Sequence, residues 1–102
     1  MKKSAIKLIE QASEGVVCGN FDLNYTSDML MNRDFEGIFF KDCVFDGGDF
    51  ASSIFKKCHF KNVKFRKSAI VGVNFTDCSF KQTSFQDLQA SFSISGHFDI
   101  DK

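Results

Sequence analysis

The hydrophobic pattern along this chain has a period of five. Phe stands at positions 35, 40, 45, 50, 55, 60, 65, 75, 80 and 85, and Ile70 fills the one gap. Neither the helix period of 3.6 nor the strand period of 2 generates that spacing. From position 43 onward a small or β-branched residue stands two places before each lattice position: Cys43, Gly48, Ser53, Cys58, Val63, Ser68, Val73, Cys78 and Thr83. The other three positions are polar and variable, as in Lys41-Asp42, Lys56-Lys57, Arg66-Lys67 and Lys81-Gln82. Each unit therefore turns one large and one small side chain inward and three outward, which is a short extended segment followed by a turn. The expected core is Phe40, Phe45, Phe55, Phe60, Phe65, Phe75, Phe80 and Phe85, with Cys43, Cys58 and Cys78 beside them.

Stretches such as Asp49-Phe50, Cys58-His59-Phe60, Val73-Asn74-Phe75 and Cys78-Ser79-Phe80 resemble the units of the pentapeptide-repeat family, over about residues 33–90. The resemblance implies an all-β fold, a right-handed quadrilateral β-helix of about three coils with four pentapeptides to a coil, and the residues before it add a short N-terminal α-helical cap. The lack of Pro agrees, because coils join through backbone N–H groups that Pro does not have. Asp or Asn precedes the central residue only at Asp34, Asp49 and Asn74, so some coils are expected to use less regular turns. Stacking at twenty residues puts Phe40, Phe60 and Phe80 in one column, Phe45, Phe65 and Phe85 in the next, and Phe35, Phe55 and Phe75 in a third. The fourth column tapers through Phe50, Ile70 and Ala90. Outside, Asp46 falls beside Arg66, Glu36 beside Lys56 and Lys57 beside Asp77.

The ends depart from the lattice. Residues 1–15 read as an amphipathic helix with Ser4 as cap, Gly15 as stop, and Ile6, Leu8 and Ile9 toward the core. Residues 16–32 read as a degenerate first coil in which Cys18, Leu23, Tyr25 and Leu30 point inward while Asn20 and Asp28 break the pattern. Past Ala90 the lattice fails again. Phe92, Ile94, Phe98 and Ile100 alternate with mostly polar residues, a strand signal over the tail 91–102. Such a strand either covers the last coil or pairs with a second copy, giving a homodimer through the tail.

Composition narrows the function classes. The 102 residues make one small domain, and 13 basic against 13 acidic side chains leave no net charge. A general nucleic-acid binder and a strongly acidic DNA mimic are both disfavoured. No apolar run reaches the roughly 20 residues of a membrane span. Met1-Lys2-Lys3 is followed by apolar residues broken at Lys7 and Glu10, which is no secretion signal, so a reduced, cytoplasmic chain is expected. The four cysteines form no C-x-x-C pair and read as buried thiols, with no metal site or cofactor expected. No catalytic motif is present; His59 reads as a surface residue between Phe39 and Ser79, and the acids from Asp34 to Asp49 fall on different faces.

What remains is surface. Lys41, Lys61 and Lys81 form a basic ladder, and Lys64, Arg66 and Lys67 add to the charge of the middle coil. Phe39, Ile54 and Val71 are large apolar residues at outward positions, and a nearly uncharged side carries Ala51, Ser52, Ala69, Val71, Gly72 and Gln89. These residues are the candidate contacts for a protein partner. The expected function is a non-enzymatic binding module, a small bacterial immunity or antitoxin-type protein that neutralises a toxin by direct binding. The alternative implied by the resemblance is a DNA-mimicking modulator of a type II topoisomerase such as DNA gyrase, which the neutral charge balance and the few coils disfavour.

Overall fold

The structure is a computed structural model describing residues 2–24, 29–96 and 99–101. One helix, α1 (Ala5–Glu14), precedes ten strands: β1 (Val16–Asp22), β2 (Asp34–Glu36), β3 (Phe39–Asp46), β4 (Ile54–Lys56), β5 (His59–Arg66), β6 (Ala69–Thr76), β7 (Ser79–Lys81), β8 (Ser84–Gln86), β9 (Gln89–Ser95) and β10 (Asp99–Asp101). All named pairings are parallel. One sheet runs β1-β3-β5-β7-β10 with β8 on β5, and the other runs β2-β4-β6-β9. The chain is a β-solenoid that climbs by one coil per turn, and its Cα atoms span 33 × 23 × 23 Å.

The corners explain the period of five. Residues with positive φ recur at Asn32, Gly37, Asp42, Gly47, Ser52, Lys57, Asn62, Lys67, Gly72, Asp77, Gln82 and Asp87, every fifth position, with φ between 49° at Gln82 and 80° at Gly47. Each corner stands two residues after a central lattice residue, which is Leu30 before Asn32, Ile70 before Gly72 and Phe before the others. The left-handed backbone there favours Gly, Asn and Asp, which occupy eight of the twelve sites. The turns are thus regular from Asn32 to Asp87, against the expectation of less regular ones in some coils. Their chemistry lies behind the central residue, not in front of it. Gly37 (φ 68°) has open space around an added Cβ, so a substitution there meets backbone strain alone. Gly37→Val is expected to cost about 1–2 kcal/mol in urea denaturation.

Between corners the aromatics stack. Phe40 and Phe60 lie 4.8 Å apart at 3°, and Phe60 and Phe80 repeat the same values. The coil spacing therefore equals the ordinary strand separation of about 4.8 Å. Neighbouring columns meet edge to face, as Phe40 does with Phe45 and Phe55. Phe35 through Phe65, Ile70, Phe75 and Phe80 are all buried on the lattice. Phe85 is the exception to the expected core: it stacks on Phe65 at 5.0 Å yet is 37% exposed. Its strand β8 pairs with β5 on one edge, and among the described residues no strand pairs with the other.

The small inward positions carry more than volume. Cys43 Sγ donates to the Val17 carbonyl (3.0 Å), Cys58 to Phe35 (3.3 Å) and Cys78 to Phe55 (3.1 Å). Ser53 Oγ donates to Leu30 (2.7 Å) and Ser68 Oγ to Gly47 (2.6 Å). Each therefore ties its corner to a carbonyl of the coil below. Gly48 takes the same lattice position because Leu23 Cβ lies 2.9 Å from where its own Cβ would be.

Both ends differ from the expectation. In α1, Ser4 Oγ accepts from the Lys7 N–H and Gly15 (φ 97°) ends the helix, as read. Ala5 and Leu8 are the buried residues, and Ile6 is exposed. In β1 the inward residues are Val17 and Phe21, with Leu23 and Leu30 beyond. Cys18 is exposed, contrary to expectation. The cause is a register shift between Val17 and Gly19, after which Gly19 pairs with Cys43 and Phe21 with Phe45. The Lys3 ammonium holds this bulge by donating to the Cys18 carbonyl at 2.9 Å. Tyr25, Asp28 and Phe98 lie outside the described residues. At the other end, β9 continues on β6, but the register slips by one residue: Val71 pairs with Ser91 and Val73 with Phe92. β10 then pairs with β7, Ile100 opposite Phe80. The tail thus adds strands in parallel to the coil beneath.

Thiol accessibility follows directly. Cys43, Cys58 and Cys78 are buried, and burial pushes the Cys43 thiol up to about 12. A hydrogen bond with Cys78, together with burial, raises Cys58 well above the usual thiol range. Iodoacetamide at pH 8 is expected to add one group per native chain, at Cys18, and four in denaturant, counted by intact mass.

Candidate functional site

The strand segments and corners sort the outward residues into four faces. The first face carries segments 39–41, 59–61, 79–81 and 99–101, stacked in register: Phe39 pairs with His59, His59 with Ser79 and Ser79 with Asp99, while Lys41 pairs with Lys61, Lys61 with Lys81 and Lys81 with Asp101. Below Phe39 stands Val16 of β1. Two columns therefore run side by side along the solenoid axis. One is apolar at its foot, with Val16 49% and Phe39 39% exposed. The other is the exposed lysine ladder. The rungs alternate outward at a lateral separation of about 6.6 Å, two residues along a strand.

The first column is internally bonded. His59 Nδ1 and Ser79 Oγ are 2.6 Å apart, and the Phe39 and His59 rings meet edge-on at 6.3 Å. A surface furrow of about 420 Å³ lies between the columns, lined by Phe39, His59, Phe60, Lys61, Ser79 and Lys81. At the corner beside the ladder, Asn62 Nδ2 donates to Asp42 Oδ1 at 2.9 Å.

The remaining candidates are dispersed. Lys64 and Arg66 lie on the second face, paired with Val44 and Asp46, and Lys67 stands on its far corner. Asp46 ion-pairs with Lys2 at 2.9 Å, and that hydrogen bond holds its carboxyl below the usual range. Val71 lies on the third, nearly uncharged face with Ala51 and Ala69, and Ile54 on the fourth beside Lys56. Lys56 reaches Glu36 at 3.9 Å, the opposite-charge neighbour expected from the stacking. Among the sequence candidates, the structure thus gathers Phe39, Lys41, Lys61 and Lys81 on one face. Val16 joins them unforeseen, since β1 stands 23 residues below Phe40 at Val17 and breaks the twenty-residue rule.

Among the described residues, no group of three or more His, Cys, Asp or Glu converges. No helix there is long and apolar enough to cross a membrane. The arrangement is a β-solenoid whose distinctive features lie on its outer columns, the architecture of a repeat protein that contacts others through its sides. The sequence matches the family of pentapeptide repeats in 8 copies, over residues 43–82 and 58–91. The chain belongs to that family, and as such is a repeat-based protein-interaction module. No curated protein matches the chain.

Proposed function

We propose that this chain is a non-enzymatic bacterial neutraliser of the immunity or antitoxin kind, which covers an enzyme toxin by direct binding. The observation that carries the reading is the lysine ladder beside exposed Val16 and Phe39. Two ammonium groups one coil apart repel by up to about 0.9 kcal/mol in water. The Lys81 end of the row has Asp101 as its register neighbour, while Lys41 and Lys61 stand in register with one another on a stiff frame. An acidic partner surface turns the same column into attraction, and the exposed apolar foot gives that partner a desolvated anchor. A DNA mimic needs the opposite sign of charge on such a column.

The test is affinity capture from lysate of the source cells, followed by co-production. A stoichiometric enzyme toxin is expected, with growth restored when the chain is produced beside it. Topoisomerase subunits in the complex, or no protection by a chain that folds, would overturn the reading.

A further inference from the structure

We propose that the first face is a docking track for an acidic amphipathic α-helix of the partner, laid along the solenoid axis with one carboxylate opposite each of Lys41, Lys61 and Lys81. The inference deepens the binding-module reading and rests on it.

Commensurate spacing selects the helix. The ladder advances one coil at a time, and the coil spacing is fixed by the 4.8 Å ring stacking of the column behind it. From Lys41 to Lys81 is two such steps, about 9.6 Å. Carboxylates at i, i+4 and i+7 of a helix span about 10.5 Å along its axis at 1.5 Å per residue. All three thus meet their lysines with a mismatch of about 1 Å, within the reach of a lysine side chain. An extended strand places same-face residues about 6.7 Å apart, so three acids span about 13 Å and lose register by the third rung.

The lateral pattern adds the second half of the match. Beside the ladder stand exposed Val16 and Phe39, then His59, Ser79 and, in register above it, Asp99, while Asp101 follows Lys81 and closes the basic track at that end. The furrow of about 420 Å³ between the columns accepts large apolar side chains from the helix stripe next to the acids. A phosphate chain would satisfy the lysines but leave Val16 and Phe39 against solvent or charge. The apolar foot therefore favours a protein helix over nucleic acid.

The probe is an amidated, alanine-based helical peptide of about 18 residues with Glu at i, i+4 and i+7 and Leu on the adjoining stripe. It is titrated into the full ¹⁵N-labelled chain at about 50 mM salt. Chemical-shift changes are expected to centre on residues 39–41, 59–61 and 79–81. A peptide of the same composition with the Glu positions scrambled should bind at least about tenfold more weakly, as should Lys61→Glu against the ordered peptide. Phe39→Ser, a second outward change, should weaken binding without moving the amide fingerprint of the core. Shifts on another face, no shifts at all, equal binding of the scrambled peptide, or equal competition by an oligonucleotide of the same charge would each overturn the proposal. The two readings fail separately. A captured toxin whose affinity is unchanged by Lys61→Glu removes the track and leaves the neutraliser. A specific peptide titration with no cellular protein partner does the reverse.

Discussion

Phe60→Ala is expected to remove about 3–5 kcal/mol of stability, the loss typical of a fully buried ring. Phe60 is stacked between Phe40 and Phe80 at 4.8 Å on both sides, and Phe55, Phe65 and Phe75 close around its edges. Truncation leaves a ring-sized void with coils held apart by backbone hydrogen bonds that cannot close over it. Domains of this size have only about 5–15 kcal/mol in all. The stack is also quasi-one-dimensional, so the gap weakens the coupling between the coils on either side. Phe85→Ala is the internal comparison: the same residue type on the same lattice, with one stacked ring, Phe65, among the described residues and 37% exposure. Its loss is expected to be about 1 kcal/mol. Urea unfolding followed by circular dichroism checks both. Equal losses would mean that position in the stack does not govern the core.

The contrast between these two rings shows what the sequence makes legible. Periodicity reports which side of the chain a residue occupies, and every lattice aromatic from Phe35 to Phe80 is buried as its position requires. It does not report what lies above the last coil, and that decides Phe85. The same limit applies at both ends. Twenty-residue stacking is an arithmetic rule, and it holds wherever each corner adds one left-handed residue, from Asn32 to Asp87. At β1 a bulge at Gly19 and a longer connection change the offset, so Cys18 turns out and Val17 and Phe21 turn in. At β9 one residue is dropped between Val71 and Val73, and the backbone slots of Val73 and Phe75 pass to Phe92 and Ile94. A search allowing single-residue slips would have recovered that strand as solenoid.

The candidate face was legible in the same measure. Lys41, Lys61 and Lys81 are twenty apart, so their column follows from arithmetic, and Phe39 follows because it precedes a lattice aromatic. Ile54 and Val71 satisfy the same outward rule but sit on other faces, because successive corners turn them away. An outward position is therefore necessary for a shared surface and insufficient for it. Val16 had no sequence signal, since its neighbour Phe39 lies 23 residues on.

Ser53→Ala is expected to be nearly as damaging as the loss of a ring, at about 2–4 kcal/mol, although it removes a single oxygen. Ser53 is fully buried. Its Oγ donates to the Leu30 carbonyl at 2.7 Å and accepts from the Arg33 N–H at 3.0 Å. Alanine leaves both backbone groups beside the Asn32 corner without that partner, each at a desolvation cost of about 1–3 kcal/mol. Valine, though it matches the β-branched residues at other lattice positions, fills the site without meeting either group and should be no better. Cysteine tests the chemistry rather than the volume. Cys43, Cys58 and Cys78 hold the same lattice position and donate to the coil below. Ser53→Cys should therefore keep the bond to Leu30 and cost about half as much as alanine, read from the same urea midpoints. If alanine and cysteine lose equal stability, the small inward residues act by size alone. If cysteine is the milder change, the choice of Cys and Ser at these positions reflects the need to satisfy corner carbonyls that the regular strand ladders leave open.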